Sequence, residues 1–202
     1  MSRWSRRRFL GTSAAALCAG CTGSDEPAVL SGSSRELAET PTIPPPGPGL
    51  LPFGQPIDVG SIDDGRDAAD GSPLFVAEAR AWLVAVDPAD VEALLADLDD
   101  RLHDGLRVGL LALSQRCPHL GCRVPFCESS GWFECPCHGS RYTLHGEHRA
   151  GPGPRGMDAH PILIDADRVL VDAGTVIDGP ALGSVVVDRP AAGPHCVEPA
   201  ER

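Results

Sequence analysis

A chain of 202 residues is long enough for one domain with a modest core plus appendages. Its formal net charge of −11 argues against nucleic acid as a partner, because phosphates need basic neutralisation, and the ordinary consequence of such a charge is solubility. Aromatic residues make up 4% of the chain, so Val, Leu and Ala must build the core, and 23 Gly with 20 Pro point to loops, short strands or a disordered segment.

The N-terminus reads as an address. In "MSRWSRRRFLGTSAAALCAGC", Arg3, Arg6, Arg7 and Arg8 precede an apolar, small-residue stretch from Phe9 to Gly20. A free-standing membrane helix needs ~20 apolar residues, so this stretch is too short to span, but it has the length of a signal-peptide core. "SRRRFLG" resembles the twin-arginine export signal, the other reading being an ordinary secretory signal with extra arginines. "CAGC" resembles a bacterial lipoprotein cleavage site, although Cys18 stands where such sites carry Leu. Lipidation of Cys21 would hold the protein at a membrane; an uncleaved anchor and simple cleavage are the rival outcomes. Residues 22–54 are polar, then proline-rich, and read as a tether, stiff and extended over "TIPPPGPG".

From Pro56 the pattern becomes that of a folded domain. Residues 74–86 read as two short strands or one bent one. Residues 87–105 read as a helix, with Asp87 as N-cap, Pro88 in the first turn, Gly105 as the stop, and Val91, Leu94, Leu95, Leu98 and Leu102 on one face packing against a sheet. Residues 107–115 read as a buried strand leading into Cys117, residues 131–134 as a strand leading into Cys135, and residues 161–172 as a hairpin turning near Ala166. Short strands between Gly/Pro turns suggest an antiparallel β-sandwich or small barrel.

Eight cysteines stand at positions 18, 21, 117, 122, 127, 135, 137 and 196, five of them between 117 and 137. That density implies a metal site, a disulfide framework or both. In "CPCHGSRY", Cys135 and Cys137 flank a single proline and make poor partners for each other, since a disulfide needs converging Cβ vectors and Pro136 restricts the chain. Each of two loops carries one cysteine and one histidine: "CPHLGC" has Cys117 and His119, "CPCHGS" has Cys135 and His138. Two thiolates and two imidazoles suit zinc or one class of iron–sulfur cluster. Zinc fingers usually pair cysteine with cysteine and histidine with histidine, whereas here each loop supplies one of each.

The arrangement C-x-H…C-x2-H resembles the Rieske [2Fe–2S] proteins, in which one iron takes two thiolates and the other two imidazoles. The resemblance covers about residues 55–178. It implies a Rieske-type antiparallel β-sandwich with a smaller cluster-binding subdomain at about 115–155, the helix at 87–105 being an insertion and residues 179–202 a C-terminal tail. It also implies a [2Fe–2S] cofactor with Cys117 and Cys135 on one iron and His119 and His138 on the other. In the cytochrome bc-type branch a further cysteine pair ties the two loops together, which carries over to Cys122 and Cys137. Ser140 and Tyr142 match residues that donate hydrogen bonds to cluster sulfurs in high-potential members, and "GPGP" at 151–154, with Pro152, resembles the proline loop over the cluster, Gly153 being a mild loosening of its usual G-P-x-P. The remaining histidines at 103, 145, 148, 160 and 195 read as surface or structural. Cys127 and Cys196, left over in an oxidising compartment, suggest a second disulfide, against a buried free thiol and a mobile tail.

The resemblance implies electron transfer, with two candidate settings. In a quinol-oxidising cytochrome bc-type complex, a quinol would hydrogen-bond to His119 or His138 and give up an electron and a proton, Leu120 would form the apolar rim, the tether would let the head move, and the acidic surface would suit transient docking to cytochrome partners. The alternative is a free-standing extracytoplasmic carrier or the small subunit of another oxidoreductase, such as one for arsenite. In either setting the twin-arginine signal would place the domain on the outer face of the cytoplasmic membrane, held there by its N-terminus.

Overall fold

The computed structural model describes residues 55–198. The stretches read as an export signal and a tether, with Cys18 and Cys21, lie outside the described residues. Among those described, no helix is long and apolar enough to cross a membrane.

Among the described residues, eleven short strands form three antiparallel sheets. The first sheet has the order β1 (Ile57–Ser61), β11 (Arg168–Val171), β10 (Ile162–Asp165). The second runs β2 (Leu74–Val76), β3 (Ala81–Ala85), β4 (Leu110–Ser114), β9 (Ala159–His160). The third runs β5 (Phe126–Cys127), β6 (Trp132–Glu134), β7 (Arg141–Tyr142), β8 (His148–Ala150). The mainly antiparallel β class expected from the sequence is the class observed.

The second sheet is the middle layer, and its residue alternation shows why. Successive strand side chains point to opposite faces. Leu83, Leu110 and Ala112 enter one apolar cluster with Ile162, Val169 and Val171 of the first sheet. Val84, Leu111 and Leu113 enter the other, with Phe133, Tyr142, Cys117 and Cys135 of the third-sheet region. Strand β4 is therefore buried at all five positions, and it reads in sequence as an apolar run, Leu110 to Leu113, closed by Ser114. A ladder of rings, Phe75–Trp82–Phe133–Phe126, with centroid separations of 4.9, 5.6 and 5.3 Å, crosses from the second sheet to the third. Trp82 Nε1 donates to the carbonyl of Val124 at 2.9 Å, which ties β3 to the chain just beyond Cys122.

The segment 74–86 forms two strands, and the hairpin at 161–172 is present, with Ala166 at φ 56° in its turn. The helix expected over 87–105 is broken into three pieces. Asp87 caps α2 (Pro88–Asp97) by accepting from the amide of Ala89, but Leu98 turns extended at ψ 158°. Asp99 then accepts from the amide of Arg101 and opens a 3-10 turn, Asp100–Leu102, followed by α3 (His103–Arg107). A short acidic side chain that satisfies its own backbone competes with a continuous helix, which explains the break. Of the expected leucine stripe, Leu94 and Leu102 are buried; Val91, Leu95 and Leu98 pack partly buried against the same core. Gly105 does not stop the helix. It lies inside α3, where a Cβ would come within 2.9 Å of Ile162 Cβ and the Leu110 carbonyl, and the stop falls to Gly109 at φ 74°. The strand expected from 107 accordingly begins at Leu110.

A further helix, α1 (Ile62–Ala69), follows β1 with a reciprocal Ser61–Asp64 capping box. The expectation of one helix is thus corrected to three among the described residues.

Candidate metal centre

The two Cys-His loops are built on one backbone plan. In the first, the amide of Cys117 donates to the carbonyl of Cys122 at 2.7 Å and that of Gly121 to the carbonyl of Cys117 at 2.8 Å. In the second, the amide of Cys135 donates to the carbonyl of Ser140 at 2.8 Å and that of Gly139 to the carbonyl of Cys135 at 3.0 Å. Gly121 and Gly139 both take positive φ, 79° and 72°, so each loop reverses through a left-handed glycine four residues after its cysteine. The shared pattern Cys-Pro-x-x-Gly is the sequence signal for this turn. The histidine occupies the third place in one loop and the fourth in the other.

Strands β4 and β6 deliver these loops to one end of the molecule. Cys117 and Cys135 are buried and carry free thiols. Burial pushes the Cys135 thiol up, Cys117 adding to the rise, while the amides of Cys137 and His138 aim at its sulfur and pull the other way. The rings of His119 and His138 meet edge to face, centroids 4.8 Å apart at 88°. The thiols therefore lie inward and the imidazoles outward: His119 is half-buried, His138 is exposed, and Leu120 is 71% exposed beside them.

The donor set can be tested against a single ion. Tetrahedral zinc with bonds of about 2.0–2.3 Å gathers its ligand atoms within about 4 Å of one another. Among the described residues, the three-donor groups gathered within 4.8 Å are Cys122–Cys135–Cys137 and Cys127–Glu134–Cys196. Each contains a disulfide pair, and neither combines Cys117, His119, Cys135 and His138. Two inward thiols and two outward imidazoles, spread wider than one ion requires, fit a dinuclear group with a sulfur end and a nitrogen end.

The surroundings suit sulfur ligands. Tyr142, fully buried, places its hydroxyl 3.3 Å from Cys117 Sγ; burial first, then Cys117, drives its ionisation up, so the phenol keeps its proton. Ser140 is fully buried, and its Oγ accepts from the amide of Gly153 at 3.0 Å, which leaves the hydroxyl proton to donate. Residues 151–154 lie against the second loop. A Cβ on Gly151 would sit 2.6 Å from the Gly139 carbonyl, and one on Gly153 would sit 2.6 Å from the Tyr142 hydroxyl. Gly153 is therefore a close-approach position and not a loosening. Pro152 is exposed on the outer side of the same turn.

Disulfides join Cys122 to Cys137, one cysteine from each loop, and Cys127 to Cys196. His148 stacks edge to face on Tyr142 at 5.7 Å. His103 faces the Leu98 carbonyl at 3.2 Å and His160 the Thr175 carbonyl at 2.8 Å, both as structural histidines. His145 is buried away from the two Cys-His loops, between cavities of about 610 and 230 Å³. Two buried acids had no signal in the local sequence. Glu147 accepts from the amides of Val186 and Val187, and Glu134 contacts His195 and Val197; both partners come from the C-terminal segment.

Residues 84–161, a stretch containing both Cys-Pro loops, match the Rieske [2Fe–2S] domain. The chain is 35% identical over 112 residues to the cytochrome b6-f complex iron-sulfur subunit of Synechococcus sp. (strain JA-3-3Ab), covering 54% of this chain and 65% of that protein. To the same subunit of Prochlorococcus marinus (strain SARG) it is 35% identical over 130 residues, covering 62% of this chain and 72% of that protein. The chain thus spans about two thirds of the length of these relatives. The plasma membrane Rieske protein of Synechocystis PCC 6803 superposes with a TM-score of 0.38 at 21% identity, over 57% of this chain and 97% of that one. With a domain match across both Cys-His loops and a relative at this identity and coverage, the chain belongs to the Rieske [2Fe–2S] family.

Proposed function

We propose that this protein is the iron–sulfur subunit of a bc-type quinol–cytochrome c reductase. Cys117 and Cys135 would hold one iron of its cluster, and His119 and His138 the other. The observation that carries the reading is the orientation of the donor set: thiols buried, imidazoles at the surface beside an exposed leucine. When bound, the cluster takes up and gives back one electron at a time. The chain's own residues do the rest. An outward imidazole offers its ring nitrogen to a quinol hydroxyl and holds the proton that leaves with the electron. Leu120 excludes water around that contact. Tyr142 and Ser140 direct hydrogen-bond donors at sulfur, which favours the reduced state. The relatives are subunits of cytochrome b6-f complexes, which supports cytochrome partners for this chain.

Export by the twin-arginine route and a lipid on Cys21 complete the proposal. Together with the tether they place the head on the outer face of the cytoplasmic membrane, free to move between a quinol site and a cytochrome.

Two measurements test the reading. Protein lacking its first 50 residues is expected to be red-brown, with two irons and two acid-labile sulfides per chain; a colourless product with stoichiometric zinc overturns the cluster assignment. The tagged full chain, purified from membranes, is expected to bring down haem b, and recovery without any haem overturns the complex.

A further inference from the structure

The second ligand loop, Cys135–Ser140, is flanked by Glu134 on β6 and Arg141 on β7, which face each other across the ladder. Both side chains are buried, and both reach the same residue of the C-terminal segment. Glu134 Oε2 accepts from the amide of Val197 at 2.8 Å. Arg141 Nε donates to the carbonyl of Val197 at 3.0 Å, and its Nη2 donates to the same oxygen. The donor and acceptor of one residue's backbone thus grip the two stems of the loop.

The rest of the segment is seated around that grip. Glu134 Oε1 meets His195 Nδ1 at 2.7 Å and accepts from Ser130 Oγ at 2.7 Å. His195 stacks on Trp132 with centroids 5.3 Å apart. Ala192 donates its amide to Ser130 O at 2.8 Å, and Ser129 Oγ donates to Pro194 O at 2.7 Å. Gly193 runs so close that a Cβ there would lie 2.7 Å from the Ser129 carbonyl. The Cys127–Cys196 disulfide latches the segment next to Val197.

We propose that residues 192–198 are a positioning strap for the second ligand loop, pinning both stems through Val197 so that Cys135 and His138 are held in register with Cys117 and His119. The inference rests on the reading of those four residues as cluster ligands. Loss of the strap leaves Glu134 with Ser130 alone of these partners and takes from Arg141 its acceptor at Val197; charged groups that lose the partners they were folded against turn toward new ones, and the loop between them moves. Sulfur–iron geometry and the hydrogen bonds around it set the potential of such a cluster, so the movement reaches the electron-transfer property itself.

The test uses the cluster-loaded protein in three forms: the full wild-type chain, a chain ending at Ala191, and the full-length double variant Cys127→Ser/Cys196→Ser. Amide exchange across 135–141 is expected to quicken by about tenfold or more in the truncated chain and by a smaller factor in the double variant. The midpoint potential and the g-values of the reduced cluster are expected to move away from wild type in the same order. Arg168→Ala, which breaks a surface pair with Asp58 on the first sheet, serves as the control that leaves all three readings at wild-type values. If the truncated chain fails to fold, the double variant, which unlatches the strap at Cys196 beside Val197, decides alone. Folded strap variants with wild-type exchange, potential and g-values overturn the strap. Wild-type protein without iron overturns the ligand reading instead, and exchange at 135–141 then still reports on whether the strap holds the loop.

Discussion

The hydroxyl of Tyr142 lies 3.3 Å from the sulfur of Cys117, twenty-five residues earlier in the chain, with both atoms buried. With Cys117 as a thiolate ligand, the phenol must be the donor, and it stabilises the more negative, reduced state. Tyr142→Phe keeps the packing and removes the donor. Its midpoint potential is expected below that of wild type, and Ser140→Ala is expected to act in the same direction. Redox titration followed by circular dichroism reads both; wild-type values in both variants would show that neither hydroxyl acts on sulfur.

Gly153→Ala tests the same contact by steric force. The added methyl would sit 2.6 Å from the Tyr142 hydroxyl, and the buried tyrosine has little room to retreat. Overpacking of this kind typically costs about 1–3 kcal/mol. Denaturant unfolding should show that loss, with a fall in potential resembling that of Tyr142→Phe. A variant as stable as wild type at an unchanged potential would contradict the contact.

Gly151→Ala is expected to be worse. Its φ of 83° is left-handed, and a Cβ there would lie 2.6 Å from the Gly139 carbonyl, which is rigid backbone. Loss of iron on purification, beside intact iron in Gly71→Ala, is the expected contrast: Gly71 shares a positive φ of 75° but has nothing within 4 Å of the added carbon.

His145 makes stability sensitive to acid. Its ring nitrogens have no hydrogen-bond partner among the described residues, and burial holds its pKa below the ordinary histidine value. The native state keeps the ring neutral, while the unfolded chain binds a proton below about pH 6.5. The unfolded state then carries more protons, so stability falls as pH drops below that point and is unaffected by this group above it. Urea midpoints at pH 7.5 and pH 5 should therefore differ less in His145→Leu than in wild type. Equal acid loss in the two proteins would exclude the histidine as a source.

How far the residues announced this structure depended on whether the cause was local. The hairpin at 161–172, the strands at 74–86 and the cap at Asp87 follow from alternation and turn chemistry within a few residues, and they are where the pattern placed them. The helix break at Leu98 was also local, but its signal, Asp99 folding back on the amide of Arg101, is masked by a leucine spacing that favours continuation. Gly105 looked like a stop because glycine usually is one; here it makes room for Ile162, a residue far along the chain. Glu134 and Glu147 were invisible as buried groups for the same reason, since the donors that make their burial tolerable arrive from residues 186–197. At the centre itself, spacing singled out Cys117, His119, Cys135 and His138 as candidate donors, while the side chain that contacts Cys117 and the glycines that admit residues 151–154 needed family likeness or the folded structure.

On the proposed ligand set, the two cysteine loops would be bridged twice in the loaded protein, once by the Cys122–Cys137 bond and once by a cluster held by Cys117 and Cys135, and these bridges enclose nearly the same length of chain. The second closure of a ring already closed removes little further freedom. A disulfide over 15 residues contributes about 3 kcal/mol when it acts alone. Its share must shrink once the cluster is in place, so the two cross-links are redundant for holding the fold and differ only in when they form. The covalent one matters most for a chain that has lost its metal, which it keeps near the geometry from which metal can be regained.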